Sequence, residues 1–297
     1  MPEPRIVIAG ASGLIGGALA DSLAADGVVV TKLVRRDPIA DDEVAWAPGD
    51  RDLDPDVLRG ARAVVCLNGA SIGRFPWTHR YKHELLWSRI APTRTLATAL
   101  RALGDDAPQF VCASAVGYYP SAPGVELTED APQGDSFLAD LCGEWEAAAR
   151  GAGSRVAHLR TAPVVHPDGV LKPLMLLTRF GVSGRIGRGT QVWPWISLVD
   201  EVRAIRHVID AGLTGAVNLS GPVRATANDM GLALAMRMNR PYVLPAPVWG
   251  MKLALGRDAT EALLTSDMHV VPTALADSGF VFEHPSVEDA IAAVVPA

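Results

Sequence analysis

Three glycines near the amino terminus have the spacing of a binding site for a phosphate-bearing cofactor. Gly10, Gly13 and Gly16 stand three residues apart in "IVIAGASGLIGG", after an apolar run and before a helical pattern. Bare backbone lets a pyrophosphate approach closely, and the free amides of a helix N-terminus point at its charge. Such glycines also occur in ordinary tight turns, but their place in the first strand-to-helix turn favours a dinucleotide site.

A pair of arginines indicates which dinucleotide this site would take. About 20 residues after the glycines, an acidic residue usually binds the 2′-hydroxyl of the adenosine ribose. This chain has Arg35 and Arg36 there, followed by Asp37. Guanidinium groups suit a 2′-phosphate, because they form bidentate, charge-assisted hydrogen bonds. The pair favours NADP(H) over NAD(H), although Asp37 argues for NAD(H) and a solvated strand end is the alternative.

Two further groupings carry weaker signals. His79 and His83 have the i, i+4 spacing of a helical metal pair, but no third ligand is evident, so no metal is expected. Arg185 and Arg188 lie in the glycine-rich "GVSGRIGRGTQVWPW", which we interpret as a loop over the site. This loop either holds an anionic substrate or is a solvated turn.

Alternating strands and helices must position these residues. The apolar runs "RIVIAG", "GVVVTKLV", "AVVCLNGA", "QFVCASAVG" and "RVAHLRTAPVV" alternate with helical patterns that include residues 14–25, 80–102 and 137–150. This alternation predicts an α/β fold with a doubly wound parallel sheet covered on both faces. The predicted sheet domain comprises residues 1–168 and about 198–222, and a small C-terminal α/β domain comprises about 169–197 and 223–297.

Composition excludes several classes of partner. The chain has 297 residues, 49% of them hydrophobic, and a net charge of -6. An acidic balance argues against nucleic-acid binding, and no apolar run approaches the ~20 residues that span a bilayer. Three cysteines without metal spacing and an N-terminal "MPEPR" unlike a signal peptide favour a reducing cytoplasm.

With these features in place, the chain resembles the extended short-chain dehydrogenases/reductases, and among them the atypical subgroup of epimerase family proteins. The resemblance covers nearly the whole chain and is carried by "GASGLIG", "CLNGASI", "RFPWTHRYKHELLWSRIAPT", "ASAVGYYP", "FLADLCGEWEAAA", "WPWISLVDEVRAI" and "VVPTALADSGFVFEHP". It implies an NADP(H)-binding Rossmann domain and a small C-terminal domain, of the DUF1731 kind, over a substrate cleft.

The resemblance also implies which residues bind the cofactor. The residues for the pyrophosphate would be Gly10, Ser12, Gly13, Leu14, Ile15 and Gly16, and those for the 2′-phosphate Arg35 and Arg36. The residues for the adenosine-ribose side would be Asn68, Gly69 and Ala70, and those for the nicotinamide Ala113, Thr161, Ala162 and Val164. Similar proteins often have glycine where this chain has Ala162, so the Ala162 side chain leaves less room for the cofactor to approach the backbone.

Short-chain reductases work with a serine that holds the substrate oxygen, a tyrosine that passes the proton and a lysine four residues later. Ser114 and Tyr118 are the candidate catalytic residues of this chain. The usual tyrosine and lysine are absent, and in the register set by Glu146 their places fall on Leu138 and Cys142. The proton donor is therefore a neighbouring hydroxyl, such as Tyr118, or water.

Three functions follow from these residues. The leading one is an NADP(H)-dependent oxidoreductase of a small molecule, with an anionic substrate if the basic loop contacts it. The alternatives are a nucleotide-sugar epimerase or dehydratase, which the missing base disfavours, and a non-catalytic NADP(H)-binding module. The chain is expected to act as a monomer or homodimer, without nucleic-acid or membrane partners.

Overall fold

The computed structural model describes residues 5–153 and 155–296 of the chain. Its strands are β1 (Arg5–Ala9), β2 (Val29–Val34), β3 (Glu43–Ala45), β4 (Ala63–Cys66), β5 (Gln109–Ala115), β6 (Glu126–Leu127), β7 (Val156–Thr161), β8 (Val164–Val165), β9 (Ile196–Ser197), β10 (Gly215–Leu219) and β11 (His269–Val270). Its helices are α1 (Leu14–Ala25), α2 (His79–Leu103), α3 (Phe137–Arg150), α4 (Leu171–Arg179), α5 (Leu198–Ala211), α6 (Ala227–Arg237), α7 (Val248–Leu255), α8 (Arg257–Thr260), α9 (Thr273–Asp277) and α10 (Val287–Val294).

A parallel sheet forms the centre of the fold. Within the described residues it has seven strands in the order β10-β7-β5-β4-β1-β2-β3. Every neighbouring pair is parallel, with Ile6 opposite both Val30 and Ala63. The order of the strands reverses between β1 and β4, and ligands of doubly wound sheets bind at the carboxyl ends of the strands beside such a switch point.

Helices cover both faces of this sheet because successive strand residues alternate between two apolar clusters. Val7 and Val64 pack with α2 and α3 on one face, where Leu85 and Trp145 are buried. Ile6 and Ile8 belong to the cluster on the opposite face, which includes buried residues of α1 and α5. Burial on both faces explains why these strands are continuous apolar runs.

The C-terminal part packs around a third apolar cluster. Trp195 and Met230 lie at its centre, together with Ile291 of α10. This part contacts the preceding part of the chain: β11 pairs with β6 in a separate two-stranded sheet. The Asp200 carboxylate at the start of α5 accepts hydrogen bonds from the amides of Glu283 and His284, at 2.7 and 3.0 Å.

The predicted α/β class and the parallel sheet are confirmed. The predicted helices over 14–25 and 137–150 coincide with α1 and α3, and the third begins at His79 and ends at Leu103. The sequence did not indicate the pairing of β6 with β11, because each strand is two residues long. Among the described residues, no helix combines the length and apolar character needed to cross a membrane. The two-domain boundaries stay a prediction.

Candidate functional site

Two glycines of the turn between β1 and α1, Gly10 and Gly16, leave no room for a side chain. Gly10 has φ +95°, and a Cβ on it would lie 2.9 Å from the carbonyl carbon of Leu67. A Cβ on Gly16 would lie 2.2 Å from the carbonyl oxygen of Gly10. These contacts hold the exit of β1 tightly against the first turn of α1. Close backbone packing therefore requires glycine at positions 10 and 16, whereas a Cβ on Gly13 would make only an ordinary contact, 3.4 Å from the Gly10 carbonyl oxygen.

The first turn of α1 has the properties of an anion-binding site. Gly13 occupies the N-cap without a capping side chain among the described residues, and the first turn contains no acidic residue. Ser12 is exposed, while Leu14 and Ile15 are half-buried. The free amides of this turn and the positive end of the helix dipole favour a bound anion such as a pyrophosphate.

The two arginines after β2 differ in their surroundings. Arg36 forms a bidentate ion pair with Glu43, at 2.8 and 2.6 Å. Hydrogen bonding from Arg36 lowers the pKa of Glu43 to about 2. Arg35 is exposed and makes no ion pair within the described residues. Arg35 is therefore the guanidinium that is free to meet a 2′-phosphate, while the charge of Arg36 is largely compensated.

The loop after β4 is held in place by side chains of α2. The amide of Ala70 donates a hydrogen bond to the Ser88 hydroxyl at 2.9 Å, and its carbonyl accepts one from Arg89 at 3.0 Å. The Tyr81 hydroxyl donates to the carbonyl of Ser71. Gly69 is exposed, and Asn68 is half-buried. This loop lies beside the glycine turn, where the backbone of Leu67 and Asn68 contacts Gly10.

Ser114, at the end of β5, belongs to a buried polar network. Its hydroxyl donates a hydrogen bond to Glu146 at 2.8 Å, and only 4% of Ser114 is exposed. Arg160 of β7 pairs with the same carboxylate through two hydrogen bonds, at 2.9 and 3.1 Å. Burial alone would raise the pKa of Glu146, but the hydrogen bonds and charge of Arg160 outweigh it and hold that pKa below its usual value. The hydroxyl hydrogen of Ser114 is thus directed at a carboxylate.

The two tyrosines after β5 form an edge-to-face pair, with ring centres 5.5 Å apart, and both contact Arg160. Its guanidinium carbon is 3.6 Å from the centre of the Tyr118 ring, and its Nη1 donates to the Tyr119 hydroxyl at 2.9 Å. Tyr119 in turn donates to Asn218 at 2.6 Å, and burial raises the pKa of Tyr119 to about 12. The Tyr118 hydroxyl has no hydrogen-bond partner among the described residues, and its side chain is half-buried. Tyr118 is the tyrosine with a free phenol.

The places of the usual tyrosine and lysine are filled by buried apolar groups. Leu138 is 9% exposed and Cys142 is 1% exposed, both on α3. Burial raises the pKa of the Cys142 thiol to about 12, so no thiolate forms there at neutral pH. A phenol-ammonium pair on this helix is therefore absent in three dimensions as well as in sequence.

The segment after β7 is held by hydrogen bonds to α5 and to the end of β10. The Thr161 hydroxyl donates to Glu201 at 2.9 Å, and the amide of the buried Ala162 donates to the Leu219 carbonyl at 2.9 Å. Val164 begins β8 and pairs with Ile196. Ala113, half-buried near the end of β5, lies on the strand next to β7. The residues predicted for the nicotinamide therefore share one edge of the sheet.

Glu201 is a buried acid that the sequence did not single out. It is fully buried at the start of α5, and its Oε2 has no partner among the described residues. Burial raises the pKa of Glu201 to about 8, so the carboxyl carries a proton at neutral pH. A charged residue inside the otherwise apolar face of α5 was the signal available in the sequence.

We expect Glu201→Gln to remove a pH dependence of stability. The pKa of Glu201 is about 8 in the folded protein and about 4.3 in the unfolded chain. The protonated acid therefore contributes its full stabilisation of the fold below about pH 4.3, and this contribution is lost as the pH rises to about 8. Relative to the variant, the wild type should lose up to about 1.4 kcal/mol of unfolding free energy per pH unit in this window. Urea unfolding of both proteins at pH 5, 6.5 and 8 measures the difference, and parallel profiles would contradict the assignment.

The remaining candidates lie apart from this edge or lack partners. The Arg188 guanidinium is 3.7 Å from Asp267, and Arg185 is exposed. Within residues 5–153 and 155–296, no group of three or more His, Cys, Asp or Glu is arranged to hold a metal.

A cavity of about 130 Å³ opens between Pro76–Trp77 and Leu255–Ala259, beside the ion pair of α2 with α8. This cavity lies between the loop that precedes α2 and the α7–α8 segment.

Comparison with known proteins shows which family this chain belongs to. A model of the NAD dependent epimerase/dehydratase family matches residues 6–220, and one of DUF1731, a domain of unknown function, matches residues 246–294. The chain belongs to the NAD-dependent epimerase/dehydratase family. An epimerase family protein from Mycobacterium leprae is 39% identical over 96% of this chain and 94% of that protein.

Two solved structures place this epimerase-family protein among related folds. The structure of human epimerase family protein SDR39U1 with NADPH has a TM-score of 0.88 and 28% identity, covering 98% of both chains. A nucleoside-diphosphate sugar epimerase from Corynebacterium glutamicum has a TM-score of 0.77 and 29% identity, covering 98% of this chain and 57% of the other. The resemblance to extended short-chain dehydrogenases/reductases of the epimerase type is confirmed.

In this epimerase-family protein, the structure shows site contacts that the sequence did not predict. The glycine turn, the loop after β4 and the ends of β5 and β7 share one edge of the sheet, as expected. Sequence reasoning missed the Glu146–Arg160 pair and the burial of Arg89. An arginine within the strand "RVAHLRTAPVV" was the available signal, because a charge in a buried strand requires a partner.

Proposed function

We propose that this protein binds NADP(H) across the carboxyl edge of its sheet and reduces the carbonyl group of a small molecule. The observation that carries the proposal is the turn at Gly10–Gly16, where close backbone packing leaves an uncapped helix N-terminus open to a pyrophosphate. The NADPH in the human relative's structure supports the same cofactor class.

The residues of the crevice fit the proposed cofactor in one orientation. Arg35 would hold the 2′-phosphate at the end of β2, which places the adenosine on that side of the switch point. The nicotinamide would then lie on the other side, over the ends of β5 and β7, near Ala113 and Thr161. When bound, NADPH supplies a hydride to the substrate.

Tyr118 is the proposed proton donor of this reaction. Its hydroxyl is free of protein partners among the described residues, whereas Ser114 directs its hydrogen to Glu146. Ser114 therefore offers a lone pair, which can accept a hydrogen bond from a substrate or product hydroxyl. This differs from the expected role of Ser114, in which its hydrogen polarises the carbonyl.

A non-catalytic NADP(H)-binding module is the second candidate. It is favoured by the buried Leu138 and Cys142 at the places of the usual tyrosine and lysine. This function predicts cofactor binding without NADPH oxidation on any carbonyl substrate, and no effect of Tyr118→Phe. The name of the Corynebacterium structure supports a nucleotide-sugar epimerase, but such an enzyme requires a base to start oxidation of a hydroxyl, and the pair that would supply it is missing.

Arg35→Ala tests the proposed cofactor. We expect NADPH affinity to fall by about tenfold to a hundredfold, because a hydrogen-bonded charge pair contributes about 1.5–3 kcal/mol, while NADH affinity stays unchanged. Arg36→Ala is the matched control and should have a smaller effect, because Glu43 already pairs with Arg36. Fluorescence titration of both cofactors measures the affinities. Equal wild-type affinity for NADPH and NADH would refute the assignment.

A further inference from the structure

Helix α4 has apolar residues on two sides, and the fold covers only one of them. Its inner side packs into the third apolar cluster through Leu171, Leu174 and Met175. Leu176 and Phe180, one turn apart on the outer side, are 57% and 72% exposed. A helix with apolar residues on both sides is normally covered on both, so the outer side of α4 calls for a partner outside the single chain.

The segment that follows α6 extends this exposed surface. The amides of Val243 and Leu244 donate to the carbonyl of Ser183, at 3.1 and 3.2 Å, which joins this segment to the chain just after α4. Val182, Val243 and Leu244 all have exposed side chains. The outer apolar face, as we call it, consists of the exposed side chains of Leu176, Leu177, Phe180, Val182, Val243 and Leu244.

The charged residues of the segments that form the outer apolar face are all basic. Residues 169–199 and 230–257, which contain this face, hold eight of the chain's 27 Lys and Arg residues and none of its 33 Asp and Glu residues. Arg179, Arg185 and Arg240 are exposed and make no ion pair among the described residues. The acidic excess of the chain therefore lies elsewhere, and this surface attracts anionic partners.

Helix α7 adds protruding side chains to the same part of the molecule. Trp249 and Leu253, one turn apart, are 73% and 84% exposed. Side chains this exposed stand out from the surface and do not line a groove. A fluid lipid interface accommodates such side chains, whereas a folded protein partner needs a complementary surface. Trp and Phe also favour the boundary between headgroups and acyl chains.

We propose that the outer apolar face, together with Trp249, binds the surface of an anionic lipid bilayer without crossing it. The apolar side chains enter the boundary between headgroups and acyl chains, and the unpaired arginines lie against the lipid phosphates. Like charges disfavour pairing of this face with the same face of a second copy. The proposal is independent of the NADP(H) site. It departs from the expectation of no membrane partner, which rested on the composition of the whole chain.

Cosedimentation with lipid vesicles tests the charge part of the proposal. We expect the wild type to bind vesicles of equal parts phosphatidylcholine and phosphatidylglycerol at about 0.1 M NaCl, and vesicles of phosphatidylcholine alone at least about tenfold more weakly. Arg179→Glu combined with Arg240→Glu should weaken binding to the anionic vesicles by at least about tenfold, because each cation near such a surface adds to the attraction.

A second pair of substitutions tests the apolar part. Phe180→Ser combined with Trp249→Ser should also weaken vesicle binding by at least about tenfold, because both side chains lose their burial in the lipid. Val281→Ser combined with Arg51→Glu is the matched control, since Val281 is 72% exposed, Arg51 is exposed, and both lie outside the two basic segments. This control should bind vesicles as the wild type does. Every substitution replaces an exposed side chain, so no variant should unfold at a clearly lower temperature.

Absence of wild-type binding to the anionic vesicles would overturn the proposal. Equal losses in the control variant would also overturn it, because binding would then not depend on the outer apolar face. A dimer in solution that Phe180→Ser abolishes would make a second copy the occupant of this face, contrary to the proposal, and light scattering over a range of protein concentrations measures it.

Discussion

Gly16→Ala is expected to reduce NADP(H) affinity by more than about a hundredfold. The added Cβ would lie 2.2 Å from the Gly10 carbonyl oxygen and 2.9 Å from the Ala11 Cα, both backbone atoms that cannot swing away. The turn must open, which moves the amides of α1 away from the pyrophosphate position. A shift of about 1 Å is enough for such a loss, because each charge-assisted hydrogen bond depends on distance and direction.

The adjacent glycine provides the matched control for this variant. A Cβ on Gly17 would have its nearest neighbour at 3.5 Å, the Ala11 carbonyl oxygen, which is an ordinary contact. Gly17→Ala should therefore keep full affinity and gain about 0.5–1 kcal/mol of stability, as alanine does within helices.

Fluorescence titration with NADPH, together with a thermal unfolding curve for each protein, measures both effects. Gly16→Ala should also unfold at a lower temperature, because overpacking typically costs about 1–3 kcal/mol. Binding by a folded Gly16→Ala variant that is as tight as binding by Gly17→Ala would show that the turn is not the phosphate site.

Glu146→Leu is expected to be among the most destabilising single substitutions in the protein. Glu146 and Arg160 are 3% and 5% exposed, and removal of the carboxylate leaves a buried guanidinium uncompensated. Breaking a buried pair in this way costs about 3–5 kcal/mol. The same substitution removes the acceptor of the Ser114 hydrogen, so the end of β5 also loses a fixed hydroxyl.

A double substitution separates the charge effect from the packing effect. Glu146→Leu combined with Arg160→Met replaces the pair by apolar groups and should recover most of the lost stability, because neither charge is then left unpaired. The exposed pair Lys172–Asp168, with its 3.8 Å separation, is the surface control, and Asp168→Ala should cause no measurable loss. Urea unfolding followed by tryptophan fluorescence gives the unfolding free energies of the three variants, and a double variant no more stable than Glu146→Leu alone would contradict the pairing.

The sign of the pH dependence follows from the same pair. The pKa of Glu146 in the folded protein lies below the usual value of a glutamate. Its ionised carboxylate therefore adds to the free energy of unfolding above the pKa of the unfolded chain, and this contribution is lost as the pH falls through the folded-state pKa. Acid should therefore reduce the difference in stability between the wild type and the Glu146→Leu variant. This trend is opposite in sign to the one expected for Glu201.

Local features of the chain were predictable from the sequence because their causes are local. The bounds of α1 and α3 follow from apolar periodicity and from caps such as Ser136, whose hydroxyl accepts a hydrogen bond from the Ala139 amide. The glycine turn was recognisable because the backbone clash that requires glycine arises within a few residues, between Gly16 and Gly10.

The pairing of charges was not predictable, since the partners are distant in sequence. Ser114 and Glu146 are 32 residues apart, and Thr161 and Glu201 are 40 apart. In the sequence, Arg35 and Arg36 were equivalent candidates for the 2′-phosphate. In the structure Arg36 forms an ion pair with Glu43, whereas Arg35 forms none among the described residues. Such choices depend on which side chains the folded sheet and helices bring within about 3 Å.

By itself, the sequence determined the alternation of strands and helices, the glycine turn and the class of cofactor that such a turn suits. Only the tertiary structure decided which charges are compensated: Arg160 pairs with the Glu146 carboxylate, burial raises the pKa of Glu201, and Arg89 packs against Gly69 with no carboxylate partner among the described residues. The physical reason is that burial removes water, and a charge without water takes its properties from the few groups that the fold places beside it.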